Sequence, residues 1–173
     1  EPERVAALAR LVGDKTAGNP FFATQFLTAL GDEGLLTFDH AHARWSWDLD
    51  GIRAKRYTDN VADLMFDRLA RLPAQTQRAL QSLACLGQSA EVTTLALVLG
   101  MSADHLHADV WEAVRSELVE RLGGSYRFLH DRVQEAAYAL VPERERSCEH
   151  LRIGRLLVAH TPPDTCEETI FEI

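Results

Sequence analysis

The residues 126–140, YRFLHDRVQEAAYAL, join a strand-like stretch ending at Leu129 to a helix-like stretch that begins almost at once. His130 and Asp131 sit at the join. An imidazole can donate a hydrogen bond to a phosphate oxygen, and a helix N-terminus adds a dipole that favours anions. Asp131 would orient and cap, because a carboxylate beside a phosphate is repelled. The same letters also spell plain structure. Asp131 followed by Gln134 resembles a capping box with Asp in place of Ser or Thr. His130 precedes Val133, Ala137 and Leu140, so its ring could pack at a core edge. A phospho-acceptor histidine would need to stand exposed on a long dimerising helix. Here Gly123 and Gly124 turn a hairpin just before it, and the helix that follows is short.

Gly18, Asn19 and Pro20 form a second candidate. They read as a helix break and restart: Gly18 as a left-handed C-terminal cap, Asn19 as N-cap, Pro20 as first helical residue. Asp39, His40 and His42 offer metal-ligand types at close spacing, but they fall at the turn of an expected hairpin and read as a solvated turn. Cys148 and His150 are two apart on a helix and face different sides. No residue carries a local nucleophile signature, so no catalytic residue and no metal site is assigned.

These residues need a framework, and composition allows one. The chain has 173 residues with 46% hydrophobic and 25% charged, which suits a globular protein able to build its own core. The net charge of −8 argues against nonspecific nucleic-acid binding. Three cysteines, Cys85, Cys148 and Cys166, are odd in number and widely spaced, as in reduced cytosolic thiols. No run approaches the ~18 apolar residues of a membrane helix, and no secretory signal is legible. The reading is cytoplasmic, with no membrane partner. The first helix opens mid-pattern, as in a segment of a longer protein.

Hydrophobic periodicity places the elements. Val5, Leu8, Ala9 and Val12 predict a helix over 3–16; Phe22, Phe26, Leu27 and Leu30 predict another from 20 to about 30. Leu36, Phe38, Trp45 and Trp47 flank a polar turn and predict a β-hairpin, with the tryptophans and Phe21-Phe22 in the core. A polar connector follows, with a positive patch at Arg53, Lys55 and Arg56. Beyond it, Val61, Leu64, Met65, Leu69 and Leu72 stripe a helix capped by Asp59 or Asn60. Further helices are expected at 73–86, 91–99, 103–115, 131–140 and 143–160, with a hairpin over 118–129. Three helices, a hairpin and another helix, from 73 to 140, is the order of a winged-helix domain. The fold class is therefore mainly α, with domains at 1–58, 59–141 and 142–173.

In a DNA-binding winged helix the third helix reads the major groove. Here that helix presents Asp104, Asp109 and Glu112 against Arg115 alone, and DNA phosphates would be repelled. His105 and His107 add charge only at low pH. No DNA partner is expected. Trp111 lies off the apolar stripe of this helix, as a contact for another domain would.

Three segments together, KTAGNPFFATQFLTALGDEGLL, DNVADLMFDRLARLPAQTQRALQSLACLG and YRFLHDRVQEAAYALVPERERSCEHLRIGRLL, resemble the post-catalytic part of signal-transduction ATPases with numerous domains. More narrowly, they are similar to the AAA-type ATPase module of large bacterial hybrid kinases, which join a Ser/Thr-kinase-like domain, this ATPase, a GAF domain and a histidine kinase. The resemblance covers roughly residues 10–160. It implies a helical lid remnant with its hairpin, then a winged helix, then a C-terminal helix leading to the next domain. It also implies partners in the upstream nucleotide-binding domain and downstream signalling domains of the same chain. In the intact protein ATP or ADP with Mg would bind; no cofactor is expected in this segment, which contains no GxxxxGK[ST] and so lacks the phosphate cradle. By resemblance, Pro20 of the Gly18-Asn19-Pro20 turn lies near the adenine ring. The same resemblance implies that His130, with Asp131 beside it, would sense the β-phosphate of ADP and hold a closed, inactive state.

Overall fold

The chain is mainly α-helical. The computed structural model describes residues 2–54 and 61–161, and contacts divide the chain into two compact units, residues 1–64 and 65–173. The first unit opens with α1 (Pro2–Thr16) and α2 (Pro20–Asp32). Gly18 adopts φ 71, the left-handed conformation that costs glycine least, and its N–H closes α1 on the Gly13 carbonyl at 3.0 Å. The Asn19 side-chain oxygen accepts from the N–H groups of Phe21 and Phe22 at 3.0 and 3.3 Å, and Pro20 is the first helical residue. α2 buries Phe22, Phe26, Ala29 and Leu30. The expected apolar stripe of α1 is covered only at its C-terminal end: Val12 is buried, while Val5 and Ala9 are exposed.

Strands β1 (Leu36–Asp39) and β2 (Arg44–Trp47) form the expected hairpin, pairing Leu36 with Trp47 and Phe38 with Trp45. The aromatics are not core, however. Trp45 is 56% exposed and meets Phe38 edge to face at 5.3 Å; Trp47 is half-buried beneath the Arg4 guanidinium, 5.1 Å from the ring centre. A two-stranded hairpin has one face to bury, and period alone does not say whether anything covers it. The connector also differs from expectation, because it begins with α3 (Leu49–Ala54). The Asp48 carboxylate caps α3 by accepting from the N–H groups of Asp50 and Gly51, and Ile52 is fully buried. One buried apolar residue in a six-residue helix leaves no period to read. Lys55, Arg56, Asp59, Asn60 and Cys166 lie outside the described residues.

Further along, α4 (Val61–Ala70) buries Leu64, Met65 and Leu69. Gln77 donates to the carbonyls of Ala70 and Leu72 at 2.9 and 2.8 Å, satisfying groups that the end of α4 leaves without helical partners. α5 (Ala74–Leu86) is the centre of the second unit; its Leu80 and Leu83 are wholly buried. Against it pack α6 (Val92–Leu99), α7 (Ala103–Arg115), α8 (Asp131–Ala139) and α9 (Glu143–His160). Between them runs a three-stranded antiparallel sheet, ordered β3 (Ser89–Glu91), β5 (Ser125–Phe128), β4 (Val119–Leu122).

The expected hairpin is β4 and β5, while β3 was not expected. Its three residues have no alternation to read, and they become a strand only by pairing with β5 about 36 residues away. Gln88 fixes that pairing, donating from its side chain to the Phe128 carbonyl and accepting at its own carbonyl from the Phe128 N–H, both at 3.0 Å. α7 buries Leu106, Val110 and Ala113, while Val114 is half-buried.

Candidate functional site

β5 delivers His130 to the start of α8. The hydrogen bond from Leu129 N–H to the Leu118 carbonyl is the last rung of this register at 3.2 Å. The chain stays extended through His130, at φ −154 and ψ 144, and turns helical at Asp131. The cap is His130 itself: its Nδ1 accepts from the Arg132 N–H at 3.2 Å. This corrects the expectation that Asp131 caps. Asp131 is the first helical residue, exposed in the first turn, where its charge complements the helix dipole. The reason is geometric, since the N-cap residue must keep extended dihedrals and His130, two residues past the end of β5, still has them.

The cap also fixes the ring chemistry. A nitrogen that accepts a hydrogen bond carries no proton, so the neutral ring that caps α8 holds its proton on Nε2. The donor that His130 can direct at an acceptor is therefore Nε2–H, in one tautomer. Adding a proton at Nδ1 would remove the cap. His130 is half-buried.

Gly18, Asn19 and Pro20 occupy the positions expected of them, but as a helix stop and start within the first unit. His130 and Asp131 belong to the second. At the β1–β2 turn, the Asp39 carboxylate accepts from the Ala41 and His42 N–H groups and meets His42 Nδ1 at 2.8 Å. The His42 bond is the main reason its carboxyl titrates below the usual range. Those contacts close a turn. Among the described residues no group of three His, Cys, Asp or Glu is placed to hold a metal. His150 meets the Tyr138 hydroxyl at 3.1 Å, and His107 meets that of Tyr126 at 2.7 Å. On α7, Asp104, Glu112 and Arg115 are exposed, and Trp111 is 59% exposed.

Sequence reading missed the clamp that holds α9. Arg152 donates to Glu149 at 2.6 Å and to the Val98 carbonyl at 3.0 Å, tying α9 to the C-terminal end of α6. It borders a cleft of about 700 Å³ that Arg78, Ser82, Asp109 and Cys148 also line and that His130 does not reach. The Arg152 hydrogen bond is the chief cause that lowers the Glu149 carboxyl, against an opposing push from burial. A carboxylate depressed in the folded state adds stability above its ordinary range, and loses it as pH falls through the folded value. Arg152→Ala is expected to cost about 1 kcal/mol near neutral pH. By urea unfolding, the gap to the parent chain should narrow below pH ~4; a gap that stays constant from neutral pH to well below that point would contradict the assignment.

The chain is similar to hybrid signal transduction histidine kinase G of Dictyostelium discoideum, at 29% identity over 195 aligned residues. The match covers 90% of this chain but only 6% of that kinase. The chain matches no family model and no solved structure. The relative is eukaryotic, whereas the sequence resemblance pointed to bacterial hybrid kinases. Among the described residues no helix is long and apolar enough to cross a membrane.

Proposed function

We propose that this chain is a noncatalytic regulatory segment of a signalling ATPase, cytoplasmic and set between a nucleotide-binding domain and the output domains of one polypeptide. The observation that supports the signalling part of this reading is the match across 90% of the chain to a hybrid signal transduction histidine kinase; the ATPase part rests on the resemblance of the three quoted segments. The element order α5-β3-α6-α7-β4-β5, with β3 pairing β5, supports a winged-helix module. The acidic outer face of α7 supports a protein-facing role for it over a DNA-facing one.

In this mechanism ADP with Mg binds the upstream domain, and its β-phosphate accepts from His130 Nε2–H. That bond holds a closed state. ATP exchange removes it and releases a domain rearrangement toward the kinase output, which requires nucleotide affinity to differ between the two states. Pro20 would cover the base from the lid side, presenting an apolar ring without an N–H to leave unsatisfied.

The segment itself contributes no phosphate cradle, since no GxxxxGK[ST] occurs in residues 1–173. The isolated chain is therefore expected to release no phosphate from ATP and Mg above the buffer rate in a phosphate-release assay. Turnover in the purified 173-residue chain would overturn the noncatalytic reading.

A further inference from the structure

Helix α9 has two apolar sides. Ile153 is buried against the second unit, with Leu156 and Leu157 half-buried beside it. On the other side Leu151 and Val158 are 53% and 54% exposed. Seven residues apart, they stand two turns from each other on nearly one line. Between them lies a shallow groove of about 460 Å³ lined by His150, Leu151, Gly154, Arg155, Val158 and Ala159.

Gly154 is the second observation. A Cβ built there would meet no heavy atom within 4 Å, and its φ is not in the left-handed range. Glycine inside a helix costs about 1 kcal/mol relative to alanine. Neither backbone conformation nor packing among the described residues requires it at this position. Its absent side chain forms the floor of the groove and admits a close approach from outside.

The third observation is charge. Arg155 borders the groove without a hydrogen bond or ion pair among the described residues, and Arg144, about three turns nearer the N-terminus on nearly the same side of the helix, meets its neighbour Glu145 at 3.4 Å. A basic rim on an apolar groove stands out in a chain of net charge −8.

We propose that the outer face of α9 docks an acidic amphipathic helix, which sets an apolar side chain over Gly154 between Leu151 and Val158 and its carboxylates against Arg155 and Arg144. Helix-in-groove recognition of this kind reads apolar anchors three, four and seven residues apart. A second copy of α9 fits worse, because it would bring arginine rows together. A bilayer fits worse too, because the face offers two aliphatic side chains and no aromatic anchor.

The test uses two designed helical peptides with the same leucine stripe, one flanked by glutamates and one by lysines. Their binding to the 173-residue chain is followed by fluorescence anisotropy. The glutamate peptide is expected to bind at least tenfold more tightly, and Arg155→Glu should reverse the preference. Gly154→Leu should weaken binding at least tenfold while the melting temperature holds or rises, which separates blocking from misfolding. Equal or absent binding of the two peptides would overturn the proposal, as would a Gly154→Leu variant that binds normally. So would self-association relieved by Gly154→Leu, or binding to phosphatidylserine vesicles in place of the glutamate peptide.

Discussion

Phe128→Ala is expected to cost about 3–5 kcal/mol of stability, a large part of the roughly 5–15 kcal/mol that holds a domain of this kind. Phe128 is 1% exposed and ends β5, the central strand of its sheet. It pairs with Val119 across the hairpin, and both its backbone groups are bonded to Gln88. Truncating the ring leaves a cavity between the sheet and the helices, and the surrounding backbone is too fully paired to collapse into it. Urea unfolding of the parent chain and the variant measures the cost, and a loss under about 1 kcal/mol would contradict the packing described. The position matters for the site as well, because Phe128 lies two residues before the imidazole that caps α8.

Legibility followed locality. The break at Gly18, Asn19 and Pro20 was readable because each residue has its own reason to stand at a helix end, and the structure puts each in that role. α9 was readable from about Glu143 to His160, where the structure has it, since Pro142 precedes it and a proline pair follows. β3 was not readable, because its partner lies far along the chain. α3 was signalled only by the cap at Asp48, without an apolar period to support it. The exposure of Trp45 and Val5 was hidden because a hydrophobic pattern shows which face is apolar and not whether something covers it.

At the candidate site the residue pair was legible and the division of labour was not. Capping-box letters favoured Asp131, but the extended dihedrals end one residue earlier and give the cap to His130. That one-residue difference carries chemical content. It makes the imidazole an acceptor at Nδ1 and leaves Nε2 as the proton-bearing atom, so the sensing role proposed for His130 would use the opposite side of the ring from the cap. The clamp from Arg152 to Val98 joins residues 54 apart and has no sequence signature.

The cap formed by His130 and the sensing role proposed for it can be separated by substitution. Alanine removes both the ring and the cap, with a stability loss of about 1 kcal/mol. Asparagine is a good N-cap and restores the bond to the Arg132 N–H, yet its short amide cannot place a donor where Nε2–H stands. If His130 only caps, asparagine should behave as the parent residue. If its ring also holds the β-phosphate, asparagine should fold normally and bind ADP poorly. One lost hydrogen bond to a charged group is worth about 2 kcal/mol, or roughly 30-fold in affinity.

The most direct measurement is therefore ADP affinity by calorimetry in the intact protein carrying His130→Asn, with its melting temperature taken alongside. The proposed mechanism predicts about 30-fold weaker ADP binding at an unchanged melting temperature. ADP affinity equal to that of the parent protein would contradict it and leave His130 as a helix cap alone.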